Sequence, residues 1–257
     1  MISTISLLIA GVITGVFCGA VGVGGILIVP SLVLFGRLTI HEAIATALFA
    51  FIFLGLQGAW LYMRRGHVDW SLTVPVCGGA VFFSFLGAWS NTFISARPLT
   101  VLVGLLVIIA GVNILRDAAR PASVANDDKT PRHRFRPPRL KSLLGIGVVS
   151  GFASGLTGAG GPLFSIPLML LFDFPVLPTI ATGQVLVAAS STFASLSNVV
   201  HGAITYRAVV LILPALFLGM WLGARVAHRI ELVRLKKSVA LFCILLGALM
   251  LYGSWSQ

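Results

Sequence analysis

Charge is what this sequence has least of. Only 10% of its 257 residues are Asp, Glu, Lys or Arg, while 58% are hydrophobic, and soluble domains carry about 25% charged residues. A polytopic membrane protein is the class left standing. Acids are the scarcest charge, seven in all, and none falls in the middle of an apolar run. Glu42, Asp69, Asp173 and Glu231 sit near run ends, where caps or partners for Arg and His are the expected roles, so no carboxylate proton relay is assigned. The three cysteines, Cys18, Cys77 and Cys243, lie in apolar segments without metal-like spacing. That excludes a disulfide framework and a structural zinc site. No Lys or Arg precedes the first apolar run, so no secretory signal is expected.

What the chain has instead is apolar length. Runs of about 20 residues, enough to cross a hydrocarbon core, fall at about 42–63, 71–94, 98–116, 178–200, 207–228 and 235–255. Two longer stretches occupy about 4–36 and 142–172. The net charge of +11 sits in the connecting segments, as membrane orientation alone requires, and nucleic acid is excluded as a partner. Between the halves, "DAARPASVANDDKTPRHRFRPPRLK" (117–141) reads as a polar, proline-rich linker.

The halves repeat one another. At an offset of 136 residues, Gly15, Gly19, Gly22, Gly24 and Gly25 fall on Gly151, Gly155, Gly158, Gly160 and Gly161. The same offset pairs "AIAT" at Ala43 with "TIAT" at Thr179, and "GHVDW" at Gly66 with "GAITY" at Gly202. The expected organisation is a first transmembrane repeat over 1–116, a cytoplasmic linker over 117–141 and a second repeat over 142–257.

The glycine clusters divide the two long stretches. As a single helix, residues 4–36 would run about 50 Å at 1.5 Å per residue, well beyond a core of roughly 30 Å. A break at 19–25, and its counterpart at 155–161, leaves pieces suited to half a membrane. If each broken segment were one span, the 18 Lys and Arg would divide 11 to 7 between the two faces. If each is a re-entrant hairpin, they divide 15 to 3, with Arg37, Arg97 and Arg207 alone on the poorer face. The positive-inside rule favours the second arrangement, with inverted halves, a cytoplasmic linker and both termini outside. Inverted repeats with interrupted helices are the build of secondary transporters. Amides freed at a half-helix N-terminus make an anion site. The fold expected is all-α and polytopic: two inverted repeats of about four membrane segments, the first of each broken at a Gly-rich loop.

These residues also resemble a known family. "GAVGVGGILIVPSLVLFG", "HEAIATALF" and "RRGHVDW", with the second copy "GLTGAGGPLFSIPLML", "IATGQV" and "HGAITY", are similar to the sulfite exporter TauE/SafE family, the TSUP permeases. The likeness covers nearly all of the chain outside the linker. It implies a bacterial inner-membrane permease for a small sulfur-containing anion or organosulfur compound. Pro162 stands where the first copy has Ile26, and proline suits the first turn of a helix.

The substrate-binding residues expected are Gly22, Gly24 and Gly25 in the first break and Gly158, Gly160 and Gly161 in the second. To these are added the repeat-related pair Thr46 and Thr182, and Gln184, Ser191 and Asn198 from a polar helical face in 178–200. No catalytic residue, metal or cofactor is expected. The expected partners are a small anion, sulfite or an organosulfonate, and membrane lipid, with a homo-oligomer left open. Two other readings stand beside export: import of an organosulfur or carboxylate compound on the same fold, and sulfur transfer through Cys18.

Overall fold

The computed structural model describes residues 2–21, 25–119, 140–172, 174–201, 204–226 and 232–255. Every regular element among them is helical. In chain order these are α1 (Ile2–Val21), a 3-10 turn (Gly25–Leu27) leading into α2 (Ile28–Leu34), α3 (Ile40–Arg64), α4 (Trp70–Asn91) and α5 (Ala96–Ala119). The second half gives α6 (Leu140–Thr157), α7 (Pro162–Leu171), α8 (Val176–Val200), α9 (Tyr206–Val226) and α10 (Leu232–Trp255). Among the described residues, α3, α4, α5, α6, α8 and α9 are long and apolar enough to cross a membrane, so this is a multi-pass membrane protein. Helix α5 continues three residues into the expected linker, and α6 takes in its last two residues.

Cap chemistry sets several helix starts. Thr39 and Glu42 form a reciprocal capping box at α3, the Thr39 amide donating to Glu42 Oε2 at 2.9 Å. Asp69 Oδ1 accepts from the Ser71 amide at 2.9 Å at the start of α4. Both acids are thus helix caps, as their positions near span ends suggested. Asp173 and Glu231 lie outside the described residues.

Small residues set the packing. In lipid no hydrophobic force drives helices together, so close backbone approach through glycine supplies dispersion contact instead. A methyl built on Gly11 would meet Ala215 and the Ile212 carbonyl, and one on Gly15 the Leu216 carbonyl and the Met220 amide. The same register recurs in the other half: Gly147 meets the Val76 carbonyl, Gly151 that of Ala80, and Gly155 that of Ser84. Both pairs, α1 with α9 and α6 with α4, therefore run parallel.

Two other pairs run antiparallel. Gly55 lies against Ala188 and Gly58 against Gln184, which sets α3 against α8. Gly104 meets Gly247 and Leu251, and Gly111 meets Ala240 and Cys243, which sets α5 against α10. With short loops reversing the chain between α3, α4 and α5, the starts of α3, α5 and α9 share one side with the ends of α4 and α10. By the same directions α1 runs the same way as α3.

Exposed aromatics mark both rims. Trp89, Phe93, Tyr206 and Tyr252 ring the side where α3 starts, and Trp60, Trp70 and Trp221 ring the other, as interfacial aromatics do. Arg64 stacks its guanidinium 4.0 Å over the Trp60 ring on that second rim. The core lies along α3, where Ala43 to Leu54 present a fully buried face.

Candidate functional site

The interruption between α6 and α7 lies against the start of α2 in the core. Helix α6 stops at Thr157, α7 starts at Pro162, and the residues between take conformations that need glycine. Gly158 has φ +66° and Gly160 φ +85°. An L side chain rarely adopts either value. At Gly25, a methyl would meet the Ala159 carbonyl oxygen at 2.8 Å and the Phe51 ring at 2.9 Å. The entry to α2 thus abuts the second break directly, beside the middle of α3. Gly22 and Gly24 lie outside the described residues.

The amides of the second break divide into two groups. Gly158 donates to the Ser154 carbonyl at 2.8 Å, and Ala159 to Thr157 Oγ1 at 3.3 Å. Among the described residues, the amides of Gly160 and Gly161 have no acceptor. Left-handed Gly160 is followed by right-handed Gly161, whose φ is −53° and ψ −40°. Such alternation gathers successive N–H groups into an anion-binding concavity. Pro162 occupies the first helical position, where a missing N–H costs nothing.

Helix α8 supplies the opposite wall. Ser190 Oγ lies 3.6 Å from where a methyl on Gly161 would sit, and it is fully buried without a hydrogen-bond partner among the described residues. Gly183 packs on Pro162, and Leu186 on Gly161. The face of α8 turned to the break is therefore 183, 186 and 190. Gln184 instead lies against Gly58 of α3, with Ser191 and Asn198 seven and fourteen residues further along the same side of α8. All three are buried, and Gln184 Oε1 and Nε2, Ser191 Oγ and Asn198 Nδ2 are unpartnered among the described residues. A buried polar group left unpaired costs about 1–3 kcal/mol. Gln184, Ser191 and Asn198 thus form a file of unpaired polar groups along one side of α8 inside an apolar bundle.

The threonine pair is placed near opposite ends of the bundle. Thr46 Oγ1 accepts from the Thr205 amide at 3.1 Å and holds the start of α9 against α3. Thr182 Oγ1 lies 2.9 Å from Thr73 Oγ1 and ties α8 to the first turn of α4. Both hydroxyls bridge helices, and neither touches the glycine breaks in these contacts. Ser190 is not among the expected site residues, because the face that carries Gln184, Ser191 and Asn198 is the side of α8 next to it.

Asn91 fixes the end of α6. Its Nδ2 donates to the Leu156 carbonyl at 2.8 Å while its Oδ1 lies 2.7 Å from His41 Nδ1. Because the amide oxygen can only accept, His41 carries its proton on Nδ1. The last turn before the break is thereby anchored to the start of α3. Cys18 is buried within the apolar cluster around α3. Among the described residues no group of His, Cys, Asp and Glu could hold a metal ion.

A multi-pass helical bundle with a buried polar file beside broken helices is built as a membrane transporter. The sulfite exporter TauE/SafE family model matches residues 7–250. The chain belongs to the TauE/SafE family. A probable membrane transporter protein of Bacillus subtilis, YunE, is 28% identical over 97% of this chain and 98% of its own length. Another from the same organism, YdhB, is 24% identical over 93% and 96%. A third, MJ0441 of Methanocaldococcus jannaschii, is 27% identical over 68% and 64%. No solved structure matches the chain.

Proposed function

We propose that this transporter is a permease exporting a small sulfur-containing oxyanion, sulfite or a near relative, across a bacterial inner membrane. The anion is held where the two breaks meet, by the amides of Gly160 and Gly161 and the Ser190 hydroxyl, with the Gly25 backbone closing the opposite side. One observation supports this reading: at the start of α7, two amides without an acceptor among the described residues lie beside a buried, unpartnered hydroxyl, Ser190 Oγ standing 3.6 Å from where a methyl on Gly161 would sit. Donors without counter-charge in a water-poor interior select an anion.

The two halves are inverted repeats, and each broken segment is a re-entrant hairpin. What supports this is the antiparallel course of the equivalent helices α3 and α8, and of α5 and α10, at the repeat offset. The common direction of α1 and α3 supports the hairpin, since the chain between them has to return. Arg64, Arg65, Arg116 and Lys141 then share the cytoplasmic rim with the linker, leaving Arg37, Arg97 and Arg207 outside. An inside-negative potential favours anion exit by roughly 2.3 kcal/mol per charge per 100 mV. Export therefore needs no coupling carboxylate, which suits the lack of one in any midspan.

Efflux of radiolabelled sulfite from preloaded proteoliposomes tests the proposal. Wild type is expected to give saturable flux, and Ser190→Ala to weaken apparent affinity about tenfold, as loss of one hydrogen bond to a charged group implies. Folded wild-type protein that moves sulfoacetate but no sulfite would transfer the substrate class to organosulfonates. Unchanged sulfite affinity in Ser190→Ala would remove α8 from the site.

A further inference from the structure

A cavity of about 540 Å³ opens on the rim where α3 begins, between the α2–α3 corner, the start of α5 and the end of α10. Its polar groups are few. Thr39 Oγ1 is engaged with Glu42 in the capping box, and Thr100 Oγ1 donates to the Ala96 carbonyl at 2.7 Å. The groups left to meet a ligand are the guanidiniums of Arg37 and Arg97, both exposed and without an ion-pair partner among the described residues. The rest of the wall is apolar, with Leu34, Leu38, Leu249 and Met250.

Two further facts set this corner apart. Arg37 has φ +54° and is the one non-glycine residue with a positive φ among those described. Glycine would take that turn without strain, so the backbone here carries an arginine against its own preference. The equivalent position in the second half is Asp173, and that of Arg97 is Val233, so the pair belongs to one rim alone. Its lining residues Ala96 and Gly253 follow closely on the exposed aromatics Phe93 and Tyr252 in the chain, on the rim where interfacial aromatics mark the depth of lipid headgroups.

We infer that this cavity binds an anionic phospholipid. The phosphate lies between Arg37 and Arg97, and an acyl chain runs down the apolar wall toward Met250. Two arginines lining one cavity suit a phosphate, and an apolar wall beyond them suits the lipid rather than a free ion. On the orientation proposed above, the lipid is one of the outer leaflet of that membrane, though binding itself does not depend on orientation or on the transported substrate.

Native mass spectrometry of the detergent-purified full chain tests this with dioleoylphosphatidylglycerol against dioleoylphosphatidylcholine. Wild type is expected to retain the glycerol lipid about tenfold better, and the double variant Arg37→Gly, Arg97→Gln to lose that preference. Glycine relieves the strained φ, so the double variant keeps its fold. Leu249→Trp, which fills the apolar half and leaves both arginines, is expected to lower retention as well. Arg207→Gln, on the same rim but outside the cavity, is expected to leave it unchanged. Equal lipid preference in the double variant would overturn the proposal. So would displacement of the lipid by millimolar sulfite or phosphate in wild type, which would assign the arginines to a free anion.

Discussion

Gly160→Val is expected to reduce sulfite flux about 100-fold or more in protein that still inserts and folds. Space is not the reason, since a methyl at this position would meet only Pro162 Cδ, at 3.8 Å. Conformation is. Gly160 holds φ +85°, and a β-branched residue is a severe outlier there. Valine would pull the backbone back to a negative φ at a cost of order 1–3 kcal/mol if it resisted. Either way the amides of Gly160 and Gly161 would no longer converge. Each charge-assisted hydrogen bond contributes about 1.5–3 kcal/mol, so losing two removes at least about 3 kcal/mol, or a factor of roughly 100. Gly160→Asn is the informative partner, because asparagine tolerates the left-handed region. It is expected to keep most of the flux, and equal loss in both variants would show that the backbone turn is not what matters.

The second large effect is on stability. A methyl on Gly155 would collide with the Ser84 carbonyl and stand 2.8 Å from the Ala88 amide. These are backbone atoms of a neighbouring helix and have no rotamer by which to yield. Gly155→Val is therefore expected to destabilise the bundle by about 3 kcal/mol, the upper end of ordinary overpacking, and to lower its melting temperature in detergent. Gly145, ten residues earlier on α6, has nothing within 4 Å. Gly145→Ala should leave packing untouched and stabilise the helix by up to about 1 kcal/mol through propensity alone. Opposite signs from two glycines on one helix would separate close packing from helix propensity. Matching signs would mean that α4 and α6 do not approach as described.

Much of this was legible in the sequence because glycine spacing carries information twice. The intervals that align the halves are the intervals at which α1 meets α9 and α6 meets α4, since residues four apart share a helix face. The break at 158–161 was readable because Gly158, Gly160 and Gly161 precede Pro162, an order that ends one helix and starts another. Family membership followed from the same motifs. What could not be read was which polar residue faces what. Gln184, Ser190, Ser191, Ser195 and Asn198 are all buried, so hydrophobic periodicity does not rank them, and only the position of α7 selects Ser190. Thr46 and Thr182 look equivalent in sequence, yet one receives a backbone amide and the other meets a side-chain hydroxyl. Arg37 with Arg97 was equally hidden, because residues 60 apart in the chain share a cavity only once α2 and α5 are placed.

The proposed anion site is the pair of free amides at Gly160 and Gly161. Protein labelled with nitrogen-15 at its 28 glycines, held in lipid nanodiscs and titrated with sulfite, tests it at the atoms concerned. Assignment follows from the signals lost in Gly160→Asn and Gly161→Ala. Saturable shifts of the Gly160 and Gly161 amides are expected, while Gly78 and Gly145 stay fixed. Saturable binding that leaves Gly160 and Gly161 unmoved would contradict the proposed site.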